Sequence, residues 1–148
     1  MTGADNTTFE GLVLPAAAIL PAPYEGTVSF QCGTSKMPAR ILEVSRHLEL
    51  FDEDTLAEPV SAGFFLENPL SPPKSAGNSL PPEDVIELIS ASVRKWVSCD
   101  ILATLIGGEH TITLGEALAL AKLGRKFDVI CFDAHLDLRD EFGERKIC

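Results

Sequence analysis

Two short apolar runs separated by a helical stretch constrain this chain more than any other feature. Residues 101–106 (Ile-Leu-Ala-Thr-Leu-Ile) and 127–132 (Phe-Asp-Val-Ile-Cys-Phe) are too short for typical helices and do not alternate like half-buried strands. Such runs are expected of strands covered on both faces, as in parallel sheets. Residues 113–123 between them read as a helix closed by Gly124. Strand, loop, helix, strand predicts a parallel α/β sheet, whose ligands gather where strands end at their carboxyl termini.

The rest of the chain extends this pattern. Residues 12–23 read as a first buried strand, followed by a Gly-, Ser- and Thr-rich loop over 24–35. Pro38 can begin a helix with Ile41, Leu42, Val44 and Leu48 on its apolar face, and residues 48–51 form a candidate second strand. Residues 67–82 are crowded with prolines and predict an extended connection. Pro82, Glu83 and Asp84 then mark a helix start. Ile86, Ile89, Val93, Trp96 and Val97 recur at helical spacing, with Arg94 and Lys95 near the carboxyl end.

Length and charge narrow the possibilities. At 148 residues the chain can bury one core, and no internal repeat or domain boundary divides it. A formal charge of −10 argues against nucleic acid, because a line of phosphates would go unneutralised. The apolar stretch 12–22 is too short to span a bilayer and contains Pro15 and Pro21. The first twenty residues carry acids and no basic residue, unlike a secretory signal. Cys32, Cys99, Cys131 and Cys148 make no Cys-x-x-Cys pair and fit no zinc template. Cys131 reads as a small core residue. A reducing cytoplasm is the expected location.

The chemistry lies where the two strands end. Residues 106–110 read Ile-Gly-Gly-Glu-His, and the glycines allow the sharp turn and close backbone approach that a ligand there requires. Residues 133–137 read Asp-Ala-His-Leu-Asp, and alternate side chains of extended backbone share a face, so Asp133, His135 and Asp137 can converge. Carboxylates with imidazole suit a divalent ion such as Mn²⁺, and Zn²⁺ less well. Taken alone, either motif is as readily a hydrogen-bonded loop. Together, each ending its own apolar strand, they point to a metal, because clustered ionisable groups would otherwise repel or lose hydration.

This pairing resembles the ureohydrolase family, which includes arginase and agmatinase. Gly-Gly-Glu-His-Thr (107–111) is similar to the family's Gly-Gly-Asp/Glu-His-Ser/Thr motif, and Asp-Ala-His-Leu-Asp to its Asp-Ala-His-x-Asp motif. Pro23-Tyr24-Glu25, Gly33-Thr34-Ser35, Ile41 and Ser45 resemble the family's first strand, loop and helix. Residues 51–55 (Phe-Asp-Glu-Asp-Thr) and 137–141 (Asp-Leu-Arg-Asp-Glu) are similar to archaeal-type agmatinases. The resemblance implies a three-layer α/β/α sandwich on a mostly parallel sheet, commonly built into trimers or hexamers. It implies two Mn²⁺ ions: His110 and Asp137 on the first, His135 on the second, and Asp133 bridging both. A hydroxide held between the ions would attack a guanidinium carbon and release urea and an amine. No role is assigned to Glu109 beyond a hydrogen bond within its loop.

The family's later Asp-x-Asp metal motif, its guanidinium-gripping glutamate and its acceptor histidine have no counterpart in these 148 residues. Residues 1–148 are therefore expected to be a single partial ureohydrolase domain, the N-terminal half of the fold, cut before the second metal motif and inactive alone. The expected substrate is a small cationic guanidino compound. Asp140 and Glu141 favour agmatine, converted to putrescine and urea, over carboxylate-bearing arginine or guanidinobutyrate. Arg139 is as simply a loop residue paired with those acids. The alternatives are a non-catalytic relative, a subunit completed by another chain, or a metal-binding module without hydrolysis. Without its remaining strands, the edge formed by 127–132 would lie exposed and invite aggregation.

Overall fold

The computed structural model describes residues 14–70, 80–137, 140–141 and 146. Three parallel strands form a sheet in the order β2-β1-β3, with β1 at Ala17–Ala22, β2 at Phe64–Leu66 and β3 at Leu102–Gly107. β1 pairs with β3 from Ala17↔Leu102 to Ala22↔Gly107, and with β2 only from Ala17↔Phe64 to Ile19↔Leu66. That shorter ladder explains how a central strand tolerates Pro21. The missing N–H falls beyond the last β2 pair, while the Pro21 carbonyl still accepts from the Leu70 amide at 2.7 Å.

Helices α1 (Met37–Val44), α2 (Pro82–Val97) and α3 (Ile112–Lys122) complete the βα units. α2 starts at its proline, carries Glu83 and Asp84 in its first turn and Arg94 and Lys95 in its last, all placed to suit the helix dipole. Its inner face buries Val85, Ile89 and Val93 against Leu20 and Ala22 of β1, Ala103 of β3, and Ile112 and Ala119 of α3. Gly115 lets α3 approach closely, since a Cβ there would sit 2.7 Å from Cβ and Cγ2 of Ile89. β2 is tied to α2 by aromatic and polar contacts. The Phe65 and Trp96 rings lie 5.0 Å apart, and Glu67 accepts from Trp96 Nε1 at 3.0 Å and Lys95 Nζ at 2.7 Å. Among the described residues, no helix is long and apolar enough to cross a membrane.

The parallel βα order follows the expectation from sequence, and β1, α2, β3 and α3 fall where the patterns put them. Three assignments differ. Residues 48–51 are not a strand: Leu48, Leu50 and Phe51 are exposed, and the chain turns at Asp52, whose carboxylate accepts from the Thr55 amide at 2.7 Å. The place beside β1 is taken instead by 64–66, entered through Gly63 at φ 77°.

The apolar face expected of α1 is not a core face. Ile41 and Val44 are exposed, Pro38 is the helix's buried residue, and the helix ends before Leu48. Residues 127–132 also form no strand, and Phe132 is 99 % exposed. An apolar run becomes a strand only when a neighbour supplies hydrogen bonds, and among the described residues none lies beside it. Cys131 is accordingly exposed rather than part of the core. Most of the expected proline-rich connection, 71–79, lies outside the described residues, as do 1–13 at the start of the expected first strand.

Candidate metal centre

β3 delivers its loop to the same sheet end as the loop after β1. The Gly108 amide donates to the Ala22 carbonyl at 3.2 Å, extending the ladder by one bond. A Cβ on Gly108 would lie 2.2 Å from the Tyr24 carbonyl oxygen, and one on Gly107 would lie 1.8 Å from Ile112 Cδ1. Gly108 is thus required by close backbone approach, as its place in the motif predicts, whereas at Gly107 the neighbour is the movable end of the Ile112 side chain. His110 follows where the chain turns into α3, its carbonyl accepting from the Thr113 amide at 3.0 Å.

The two motifs meet through three side chains. Nδ1 of His110 lies 2.8 Å from Oδ2 of Asp137, and His110, Asp133 and Asp137 each offer a ligand atom within 4.8 Å of the others. His135 stands outside this trio: its side chain is 82 % exposed, with Nδ1 3.5 Å from Asp133 Oδ1. The convergence is not that of an extended strand. The chain bends at 134–135, the His135 amide donates to Asp133 Oδ1 at 2.8 Å, and Asp137 takes a left-handed φ of 48°. Asp133 is held below the usual carboxylate range, first by that amide, then by the neighbouring His135 and His110 rings.

One imidazole and two carboxylates so close together fit a divalent ion. The nitrogen and oxygen donors match a metal of intermediate hardness, and a cation would relieve the repulsion between the acids. Leu138 and Arg139, in the stretch expected to bear on substrate choice, lie outside the described residues.

Two acidic residues that the motif reading left without a role organise the surrounding loops. Glu25 accepts from the amides of Gly33 at 2.6 Å and Ser35 at 2.7 Å, and from the Thr34 hydroxyl at 3.5 Å. Its pKa falls from 4.5 to about 2, chiefly through the Ser35 amide and hydroxyl and then the Gly33 amide. The Glu109 side chain bonds across to the loop after β1 rather than within its own loop. Its carboxylate accepts from the Thr27 amide at 3.0 and 3.2 Å and from the Thr27 hydroxyl. An acid just before a Gly-Ser-Thr loop is the signal that could have marked Glu25; nothing local marks Thr27.

The arginase family model matches residues 15–147. The chain belongs to the arginase family. It is 32 % identical over 133 residues to an N(1)-aminopropylagmatine ureohydrolase from Synechocystis, an alignment covering 86 % of this chain and 42 % of that protein. An agmatinase from Bacillus cereus is 33 % identical over 135 residues, covering 85 % of this chain and 45 % of that one. The fold is similar to the crystal structure of the agmatine ureohydrolase of Thermoplasma volcanium, with a TM-score of 0.77 at 24 % identity over 90 % of this chain and 43 % of that one. The chain thus spans less than half the length of these relatives.

Proposed function

We propose that this arginase-family chain carries one half of the metal centre of a ureohydrolase acting on agmatine or a close cationic analogue. The observation that carries the reading is the meeting of His110, Asp133 and Asp137 at one end of the sheet. In the complete site, His110 and Asp137 would hold one Mn²⁺, Asp133 would bridge to a second, and His135 would join that second ion. The ions would supply Lewis acidity and a water nucleophilic near neutral pH. In the overall reaction the water oxygen ends on the guanidinium carbon, the bond from that carbon to the chain nitrogen breaks, and urea and putrescine result.

The names of the relatives support an agmatine-like substrate, and the Synechocystis relative supports N(1)-aminopropylagmatine as a second reading. The 148 residues supply four of the expected donors, so the chain alone is proposed to be inactive. Assembly into trimers or hexamers and a cytoplasmic location belong to the same proposal. The test is to titrate the chain with Mn²⁺ and to assay urea release from both substrates. The assay is run on the chain alone and after mixing with the remaining half of the Synechocystis relative. Metal binding, no urea from the chain alone and urea from the mixture with one substrate preferred is the expected result. Absence of Mn²⁺ binding overturns the metal reading, and urea from the chain alone overturns the claim that it is inactive alone.

A further inference from the structure

We propose that Glu109 is a positioning residue, which aims His110 at Asp137 by clasping Thr27 of the neighbouring loop. The inference rests on the metal-centre reading above. Both Glu109 oxygens accept from the Thr27 amide, at 3.0 and 3.2 Å, and Oε1 also accepts from the Thr27 hydroxyl. That hydroxyl has a single proton, spent on an acceptor-only carboxylate. The Thr111 hydroxyl, 2.8 Å away, must therefore donate to Thr27. The residues on either side of His110 thus grip one residue, Thr27, which lies more than eighty positions earlier in the chain.

Thr27 and Thr111 are both only 5 % exposed, so water competes little for these bonds. The loop that carries Thr27 is braced at its other end by Glu25, through the amides of Gly33 and Ser35. Gly108 packs its backbone against Tyr24 of the same loop. His110 is left on a short span pinned at 109 and 111, and its exposed ring faces Asp137. Glu109 itself is not one of the three converging donors, because both its oxygens are turned to Thr27.

The experiment uses the 148-residue chain and the variants Glu109→Ala, Glu109→Gln, Thr27→Val and the double Glu109→Ala/Thr27→Val. Calorimetric titration with Mn²⁺ is expected to show about a tenfold weaker affinity for E109A, the size of loss typical when a ligand's supporting partner is removed. T27V should weaken binding less, and the double variant no more than E109A, because both break one coupled unit. E109Q keeps an oxygen for the Thr27 donors and should stay within about threefold of the parent, having lost only the charge assistance.

A metal-free measurement runs beside it: the exchange rate of the Thr27 amide and the NMR resonances of the His110 ring. E109A should expose the amide and shift the ring resonances, whereas E109Q should do neither. Unmoved ring resonances in E109A with an exposed Thr27 amide overturn the proposal, as does E109Q binding as weakly as E109A. If the parent chain binds no Mn²⁺, the metal reading fails, while the ring resonances still decide the positioning role. If E109A does not fold, T27V and E109Q carry the same decision.

Discussion

Oδ2 of Asp137 lies 2.8 Å from Nδ1 of His110, joining two loops 27 residues apart in the chain. The first loop brings His110 and the second brings Asp133 and Asp137, so this contact assembles the trio. Asp137→Asn keeps the shape but loses the charge and half of the oxygen donors. It should lower Mn²⁺ affinity by more than about tenfold, the loss that removing an outer partner alone can cause. Isothermal titration of both chains checks this, and equal affinities would remove Asp137 from the site.

Gly108 is pressed against the β1 loop. In Gly108→Ala the new Cβ would need to displace the Tyr24 carbonyl, which would lie 2.2 Å away, and backbone cannot step aside as a side chain can. The expected cost is about 1–3 kcal/mol, as for other overpacked positions. Urea unfolding measures it, and Mn²⁺ affinity should fall in parallel because the same loop leads into His110.

The lowered pKa of Glu25 makes a signed prediction about acid. A carboxylate at about 2 in the folded chain and 4.5 unfolded stabilises the fold fully above pH 4.5, and loses that contribution as pH falls toward 2. The stability difference between the parent chain and Glu25→Gln should therefore be constant above about pH 5 and shrink below it. Denaturation midpoints taken from pH 7 to pH 3 provide the test. A difference that grows on acidification would contradict the assigned hydrogen bonds.

Val129, Ile130 and Phe132 form an exposed apolar strip that pairs with no strand among the described residues. Such a strip promotes self-association. The double substitution Ile130→Lys/Phe132→Lys should raise the concentration at which the chain stays monomeric in sedimentation, with little change in unfolding midpoint. A large drop in that midpoint would mean that the strip is packed after all.

Local pattern was enough for α2, where proline, acids, apolar spacing and terminal bases all agree, and for β3 with its two glycines. It failed where burial depends on a partner elsewhere. Residues 48–51 and 127–132 are as apolar as real strands, but a strand exists only through its neighbour's hydrogen bonds. The place beside β1 went to 64–66, a stretch too short to stand out. Ile41 and Val44 likewise carry helical spacing but are exposed, covered by no neighbour among the described residues.

For the site, the sequence by itself marked the candidate ligands, because His110, Asp133, His135 and Asp137 lie within two recognisable motifs. Only the tertiary structure decided which of them meet. It joined His110 to Asp133 and Asp137, left His135 outside, and bent the chain through the left-handed Asp137 rather than keeping it extended. It also brought Thr27 to Glu109, a contact that no local pattern encodes. The physical reason is the same throughout: side-chain type is written residue by residue, whereas the distance between residues far apart in the chain is set by packing, as when β1–β3 pairing brings the loops of Thr27 and Glu109 to one sheet end.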